Sequence, residues 1–349
     1  MARTENKENG MGDVDGDIAR DETPWHRLGV VVRGGERPAR RESARSGGRG
    51  HWTHAEEVVM AAATGRAPSA RNSQPWALET RGRDVLLVER VDGRPPAHDP
   101  TGRDRLISCG AALANLRVAV RRLGWAESWR EYPLPDRRDV VALVRAGAWS
   151  EPTAAEMSRY AAIGARRSHR PPFASPPAEP ARLVEESDVA GAAVVLLDGQ
   201  ARDEALARLL RHAVDLIGKD PACRAELSAW TEPRSWDGLD AGAAQDPVVQ
   251  AARFSGEAHF VVTTTGDGPG DHLRAGVALE QTWLAATSMG LAASVITQPL
   301  HLPEVRAGLV EAAELPGFPQ AVLRVGVPAV DIAPTPRRPV TAVLLDPAT

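Results

Sequence analysis

This sequence has little cysteine, no long hydrophobic run and no large excess of one charge. Cys109 and Cys223 match no metal-ligand spacing, so we expect buried thiols in a reducing compartment, and a disulfide or zinc scaffold is excluded. No stretch approaches the about 18 apolar residues of a membrane span, and the N-terminal residues lack the apolar core of a signal peptide. These absences predict a cytoplasmic protein with no membrane partner. With 42 Lys and Arg against 46 Asp and Glu, the net charge of −4 also makes nucleic acid an unexpected partner.

Composition separates an N-terminal arm from a longer folded part. The chain has 349 residues, 43% of them hydrophobic, enough for two modest domains or one large core. Residues 1–50 are rich in glycine and poor in large apolar side chains, so we expect a flexible arm. We expect the remaining residues to form two α/β halves, 51–150 and 151–349. Residues 222–256 form a weakly periodic insert that suits a lid, although a plain surface excursion explains it as well.

The spacing of apolar residues, together with the glycines and prolines between segments, predicts helices and strands that recur along the chain, and therefore an α+β fold. Thr53 with Glu56 has the spacing of a helix capping box, and Gly65 is a predicted helix stop. The predicted helices are 53–64, 107–123, 153–165, 202–217, 273–289 and 303–312. The predicted strands are 77–80, 84–90, 140–145, 193–197, 260–264 and 320–326.

An internal repeat relates two of these helices. Residues 110–125 align with residues 276–291 without a gap, and Gly110/Gly276 and Gly124/Gly290 are among the identical pairs. Each helix is followed by an apolar strand. The match indicates two related halves, although any two Ala-rich and Leu-rich helices that end at glycine share part of this pattern.

Arg166, Ser168 and Arg170 alternate along the chain, which places three anion-binding side chains on one side of an extended segment. Guanidinium groups and a hydroxyl suit a phosphate, and Arg337 could close the same pocket. The alternative is a solvated arginine-rich surface.

The loop at 68–76 is polar and stands between two prolines. It includes Ser69, Asn72, Ser73 and Gln74 and ends at Trp76. Such a loop presents amide and hydroxyl groups rigidly, which suits a ring with carbonyl and imide edges. A helix-to-strand connection with an anchoring tryptophan is the alternative.

Two motifs resemble those of the FMN-dependent nitroreductase superfamily. Residues 67–76 resemble its A-P-S-x-x-N-x-Q-P-W motif, and residues 166–173 resemble its R-R-S-x-R-x-F motif. Gly290-Leu291 and Val325-Gly-Val-Pro328 resemble later landmarks, and the similarity covers about residues 51 to 345. Ordinary members carry the arginine motif before the Asn-Gln-Pro-Trp motif in a dimer of shorter chains, whereas here the order is reversed. The chain is therefore identified as a fused pseudo-dimer, similar to the Acg-like branch of the superfamily.

The resemblance implies one FMN site per chain, with a degenerate mirror-image site. Arg166, Ser168 and Arg337 would bind the phosphate, and Arg170 would lie near the N1 and O2 edge of the flavin. The remaining implied contacts are those of the ring and its side chain: Pro68, Ser69, Ala70 and Asn72, with Thr297 and Gln298 at the N5 and O4 edge. The superfamily often has Glu-Gly where Thr297-Gln298 stand.

The resemblance further implies an NAD(P)H-dependent oxidoreductase that reduces nitro, quinone or similar small acceptors by a ping-pong mechanism. A flavin-holding protein with little turnover and a specialised flavin oxidase or dehalogenase are the alternatives. We nominate no general acid, and a structural or exposed role is expected for His169. The implied assembly is a pseudo-dimeric monomer, with a further homodimer possible.

Overall fold

Seven α-helices are present in the residues that the computed structural model describes, which are 50–91, 99–217, 219, 221 and 256–345. The predicted arm, Cys223 and nearly all of the predicted lid lie outside these residues. None of the described helices is long and apolar enough to cross a membrane. The helices are α1 (His54–Gly65), α2 (Arg103–Arg122), α3 (Ala154–Ala165), α4 (Gln200–Ile217), α5 (Pro269–Ser288), α6 (Pro303–Ala313) and α7 (Val340–Val343).

Nine strands form two antiparallel sheets in the same part of the chain. The first sheet has the order β1-β2-β4-β3, and the second has the order β6-β7-β9-β8, with short β5 on the far end of β9. The strands are β1 (Trp76–Arg81), β2 (Asp84–Glu89), β3 (Trp125–Glu131), β4 (Val140–Trp149), β5 (Phe173–Ser175), β6 (Ala192–Leu197), β7 (Ala258–Thr264), β8 (Ala292–Ile296) and β9 (Phe318–Pro328).

The two sheets repeat one topology. Apart from short β5, two strands precede a long central helix in each half and two strands follow it, and in each half the last of these four strands lies between the second and the third. The central helices are α2 and α5, the two helices of the sequence repeat. The second half differs by the insertion of α4 and α6. The fold is therefore α+β, with two related halves in one chain, as the sequence predicts.

The repeat helices pack against each other at their shared glycine. A Cβ atom on Gly110 would lie 2.1 Å from the carbonyl oxygen of Leu273, and one on Gly276 would lie 2.0 Å from that of Ile107. Gly110 and Gly276 are 166 positions apart, and so are Ile107 and Leu273. Each half thus offers the same surface to the other, which is the contact pattern of a two-fold axis. Only glycine permits this approach of two helix backbones.

One apolar cluster extends across both halves. It contains the buried side chains of Trp76 and Leu113 from the first half and of Trp283 and Leu323 from the second. Because the two sheets share this core through α2 and α5, removing either half would expose apolar surface of the other.

Helix ends follow local chemistry, with small departures from prediction. Thr53 and Glu56 form the predicted capping box of α1, but the helix includes Gly65 and is capped by Arg66. Helix α2 begins at 103 rather than 107, because the Asp99 carboxylate accepts hydrogen bonds from the backbone N–H groups of the next turn. Helix α5 begins at 269 rather than 273, where the Asp271 carboxylate accepts from the N–H of Gly268.

Strands β3 and β8 were not predicted, although they occupy equivalent places. Each follows a glycine in the left-handed region, Gly124 with φ of 88° and Gly290 with φ of 78°. β3 mixes two tryptophans with three charged residues at a sheet edge, and β8 has only five residues. Neither carries the continuous apolar run that identifies the other strands.

Candidate functional site

The loop between α1 and β1 has a strained backbone that its own hydrogen bonds hold. Arg71, Asn72 and Gln74 have positive φ angles of 50°, 56° and 50°. Each such residue costs about 1–3 kcal/mol, and strain of this kind clusters at functional sites. The backbone N–H of Gln74 donates to Ser69 Oγ at 3.0 Å, and that of Ala70 donates to Ser108 Oγ at 3.1 Å. The loop is therefore fixed in advance of any ligand.

The C-terminal segment is hydrogen-bonded to this loop. Arg337 Nη1 donates to Asn72 Oδ1 at 2.8 Å, and Asn72 Nδ2 donates to the carbonyl oxygen of Pro336 at 3.0 Å. The N–H of Arg338 donates to Gln74 Oε1 at 2.9 Å. Two of the predicted site residues, Asn72 and Arg337, are thus in direct contact.

Arg166 approaches the same region from the end of α3. Its side chain is buried, and Nη2 donates to the carbonyl oxygen of Arg66 at 2.9 Å. The guanidinium carbon lies 4.6 Å from the ring centroid of Trp283, and Nε lies 3.4 Å from Glu280 Oε1. An arginine of the second half is therefore fixed against the helix end that leads into the 68–76 loop of the first half.

Arg66, Arg166, Arg167 and Arg337 act on one another electrostatically, and we call them the arginine cluster. Burial and the other three arginines lower the pKa of Arg337 to about 10, while Glu280 opposes the shift. Burial also lowers the pKa of Arg166. Nε and Nη1 of Arg166 and Nε of Arg337 are buried and have no hydrogen-bond partner among the described residues. Buried charged donors without partners fit an oxyanion, because an anion would satisfy them and reduce the repulsion.

The remaining residues of the arginine motif lie at different depths. Ser168 is half-buried and forms a parallel bridge with Ala293 of β8. Arg170 is exposed, outside the buried cluster. His169 is buried, with its ring centroid 4.8 Å from that of Phe173, and its structural role stays a prediction. Pro68 is buried, and Ser69 and Ala70 are half-buried.

Thr297 and Gln298 follow β8 and contact the start of α2. Thr297 Oγ1 donates to Asp104 Oδ2 at 2.7 Å, and its carbonyl oxygen accepts from Arg103 Nη2 at 2.7 Å. Burial opposes ionisation of Asp104, but Arg103, His301 and Thr297 outweigh it and lower the pKa of the carboxyl group. Gln298 is buried.

Ser108 joins this group to the 68–76 loop. Its hydroxyl donates to the carbonyl oxygen of Asp104 at 2.7 Å and accepts from Ala70. A continuous path of contacts therefore runs from Arg337 and Asn72, through Ala70 and Ser108, to Asp104 and Thr297. It joins residues of both halves and contains four of the ten predicted contacts, which are Ala70, Asn72, Thr297 and Arg337.

Asp104, Ser108 and Glu280 belong to this region and were missed by sequence reasoning. Ser108 and Asp104 lie on a helix whose predicted start was too late. Glu280 carried a usable signal, because it is the one charged residue between Ala275 and Ser288 of its helix and its repeat partner is Ala114. Arg66 was missed because it stands just before the motif.

A cavity of about 430 Å³ occupies the corresponding place at the other half-interface. Its position follows from the repeat, since Glu131 is 166 positions before Thr297 and Ser108 is 166 positions before Arg274. The cavity is lined by Arg117, Trp129, Arg130, Glu131, Asp188, Val189, Ala190 and Arg274.

An ion pair occupies this second place instead of the hydrogen bonds of the first. Arg274 Nη2 donates to Glu131, and its Nη1 donates to Asp271 at 2.7 Å. The residue equivalent to Asp104 is Gly270, which has no side-chain carboxylate. The two half-interfaces are therefore related in backbone and different in chemistry.

Comparison with known proteins identifies the family of this chain. The model of the nitroreductase family matches residues 191–327. A Mycobacterium tuberculosis protein named "Putative NAD(P)H nitroreductase" is 30% identical over 321 residues, which is 84% of this chain and 92% of the relative. The "Putative NAD(P)H nitroreductase acg" of the same species is 30% identical over 309 residues, or 80% and 92%. An uncharacterized protein of that species is 32% identical over 314 residues, or 80% and 90%.

Among solved structures, a Bacteroides fragilis nitroreductase with bound FMN aligns with a TM-score of 0.36 and 18% identity. The alignment covers 49% of this chain and 88% of that one. The mycobacterial relatives are 30–32% identical to this chain and match 80–84% of it, and the chain therefore belongs to the nitroreductase family, in its Acg-like branch.

Proposed function

We propose that the protein is an FMN-dependent oxidoreductase that binds one FMN between its two halves. The observation that carries the proposal is the arginine cluster, which joins the two halves and contains three buried donor groups without partners among the described residues. A phosphate monoester supplies the oxygens that such donors need. The cluster directly adjoins the strained 68–76 loop, which suits the rest of the nucleotide.

The path of contacts suggests how the chain would hold the cofactor. Arg166 and Arg337, with Ser168 beside them, would bind the phosphate. Asn72 and Ala70, with Pro68 and Ser69 before them, would contact the ring system and its side chain. The Thr297-Gln298 segment would face the N5 and O4 edge, and Arg170 would stay near the N1 and O2 edge, as the family resemblance implies.

Arg103 adds a residue to the proposed ring site. Its side chain is buried, and Nε and Nη1 have no partner in the described part of the chain. Because Asp104 balances its charge, Arg103 can offer these donors to a carbonyl oxygen without a large electrostatic penalty.

FMN, when bound, accepts a hydride from NAD(P)H and passes the electrons to an acceptor. The chain would hold the cofactor in a fixed position and keep water from one face. We expect ping-pong kinetics with nitro, quinone or similar small acceptors, because donor and acceptor would use the same exposed face in turn. No side chain is proposed as a general acid.

Four further predictions belong with this function. We propose that the halves divide near residue 150, since β4 ends at Trp149 and α3 begins at Ala154. The pseudo-dimeric monomer, a further homodimer and a cytoplasmic location stay predictions.

Absorption spectra test the proposal. Purified protein is expected to be yellow with one FMN per chain, and Arg166→Ala with Ser168→Ala is expected to lose the colour. Arg337→Met is a second variant with less risk to folding, because this side chain is only partly buried. Arg274→Met, at the second half-interface, is the matched control and should keep the flavin. Stoichiometric FMN in the first two variants would refute the phosphate site.

Anaerobic mixing with NADPH separates the enzyme from a flavin-holding protein. Bleaching of the flavin absorbance within seconds, followed by reoxidation with a nitroaromatic or a quinone, supports the oxidoreductase. No bleaching over minutes with either NADPH or NADH would favour the flavin-holding protein.

A further inference from the structure

Glu280 is a fully buried carboxyl group beside the arginine cluster. Its side chain lies on α5 with 0% exposure, and Oε1 is 3.4 Å from Arg166 Nε. Neither carboxylate oxygen accepts a hydrogen bond of good geometry from the described residues. A buried carboxylate without donors is stable only if nearby cations compensate it or a proton neutralises it. The charge of Glu280 therefore depends on whether the arginine cluster is bound to an anion.

The groups that act on Glu280 come from three elements. Burial raises the pKa of Glu280 to about 7, against the opposing effects of Arg166 at the end of α3, Arg337 in the C-terminal segment and Asn115 on α2. Both charge states are therefore accessible near neutral pH without unfolding.

Glu280 stands at only one of the two half-interfaces. The equivalent position in the first half, 166 residues earlier, is Ala114, which has no charge to offer. The helix repeat therefore does not require a carboxyl group at this place. Its presence coincides with the arginines that adjoin it, which indicates a role toward the anion that they would bind.

We propose that Glu280 is a proton-coupled counter-ion of the arginine cluster. Ionised Glu280 pairs with Arg166 when the cluster holds no anion, and it takes up one proton from the solvent when a phosphate monoester dianion binds. The dianion replaces the carboxylate as the partner of the guanidinium groups, and repulsion between the two anions favours the neutral acid. This inference rests on the proposed FMN site and adds a residue that tunes it.

Calorimetry measures the proton directly. FMN is titrated into flavin-free full-length protein at pH 7.5, in two buffers that differ in ionisation enthalpy. FMN itself is then mostly dianionic, because the second pKa of a phosphate monoester is about 6. Wild type is expected to take up between about half and three-quarters of a proton, since a group with a pKa near 7 is already about one-quarter protonated at this pH. Riboflavin, which has no phosphate, is expected to cause no uptake.

The Glu280→Gln variant removes the titrating group and keeps its shape. We expect it to bind FMN without proton uptake and with a Kd that stays constant from pH 7 to 9. The Kd of wild type should rise about fivefold or more over that range, the effect of a coupling of one pKa unit. Glu131→Gln makes the same chemical change at the second half-interface, and it should behave as wild type.

Three results are distinguishable. Equal proton uptake by wild type and Glu280→Gln would overturn the counter-ion role and leave the FMN site intact. Weaker FMN binding by Glu280→Gln at every pH would instead make Glu280 a simple anchor for Arg166, and would also overturn the proposal. Failure of wild type to bind FMN would refute the proposed function itself.

Infrared difference spectroscopy keeps the inference testable if Glu280→Gln does not fold. In wild type, addition of FMN is expected to produce the C=O stretching band of one newly protonated carboxyl group. If no such band appears at pH 7.5, Glu280 does not take up the proton.

Discussion

Substitution of Gly276 by alanine tests the central contact between the two halves. The new Cβ would lie 2.0 Å from the carbonyl oxygen of Ile107 and 2.8 Å from Cα of Gly110. Both neighbours are backbone atoms in the middle of a helix, so no side chain can rotate away. Helices α2 and α5 must therefore separate by about 1 Å to restore ordinary contact distances.

The expected cost follows from two opposing effects. Overpacking of a well-packed core costs about 1–3 kcal/mol, and the rigid backbone on both sides places this contact at the upper end. Alanine regains about 1 kcal/mol over glycine through its helix propensity. We expect Gly276→Ala to lower the free energy of unfolding by about 2 kcal/mol, a substantial part of the about 5–15 kcal/mol of a typical domain.

Gly164→Ala is the matched control for this experiment. Gly164 lies in helix α3, and a Cβ atom there would have nothing within 4 Å. The control should therefore raise the free energy of unfolding by about 0.5–1 kcal/mol through propensity alone. Urea unfolding at equal FMN content measures both variants.

The double variant Gly110→Ala/Gly276→Ala tests the symmetry. One separation of the helices accommodates both methyl groups, so its destabilisation should be clearly smaller than the sum of the two single effects, whereas independent sites add within about 0.5 kcal/mol. If Gly276→Ala were as stable as Gly164→Ala, or if the two glycine substitutions were additive, the reciprocal helix contact would be wrong.

Three further predictions address the site and the second half. Asn72→Ala removes the hydrogen bonds to Arg337 and Pro336, and the FMN Kd should rise about tenfold, the effect of losing roughly one net hydrogen bond. Substitution of exposed Ser73 by alanine should leave the Kd unchanged, and an equal Kd in both variants would contradict the site. Arg324→Met removes the two nitrogens that contact the buried Glu257 carboxylate, and we expect a loss of about 3–5 kcal/mol in unfolding free energy. Adding Glu257→Gln should recover much of this loss, and an Arg324→Met variant as stable as wild type would refute the pairing. Burial disfavours a charged His259, but Asp203 and Glu257 outweigh burial and raise the pKa of His259. The stabilisation that charged His259 gives the fold is therefore complete below about pH 6.5 and is lost as the pH rises through the pKa of the folded state. Urea unfolding of wild type and His259→Asn should show a stability difference that shrinks from pH 6.5 upward, and a constant difference would exclude the ion pair.

Local elements were predictable where short-range chemistry controls them. The capping boxes Thr53–Glu56 and Thr153–Glu156 each involve four consecutive residues, and each helix begins at the residue directly after its threonine. Edge strand β3 escaped prediction because it has no continuous apolar run, and its pairing with β4 compensates for its polar residues.

The candidate site was predictable only as far as its motifs extend. Asn72, Arg166 and Arg337 were found from their patterns, and the structure brings them together. Asp104 and Ser108 carry no motif, and they enter the site only because α2 lies beneath the 68–76 loop. Their assignment requires the packing of α2, which no local pattern contains.

The sequence by itself determined the capping box at Thr53, the rigid polar loop at 68–76 and the 166-residue repeat, because each depends on residue types within one element or on identity between two. Tertiary structure decided which arginines are buried and what each one faces. Arg166 is buried and Arg170 is exposed, although they are four positions apart in one motif. The difference arises because Trp283 and Glu280, more than a hundred residues away, cover the first and not the second. Burial and charge pairing depend on distant neighbours, and these are defined only when the two halves pack together.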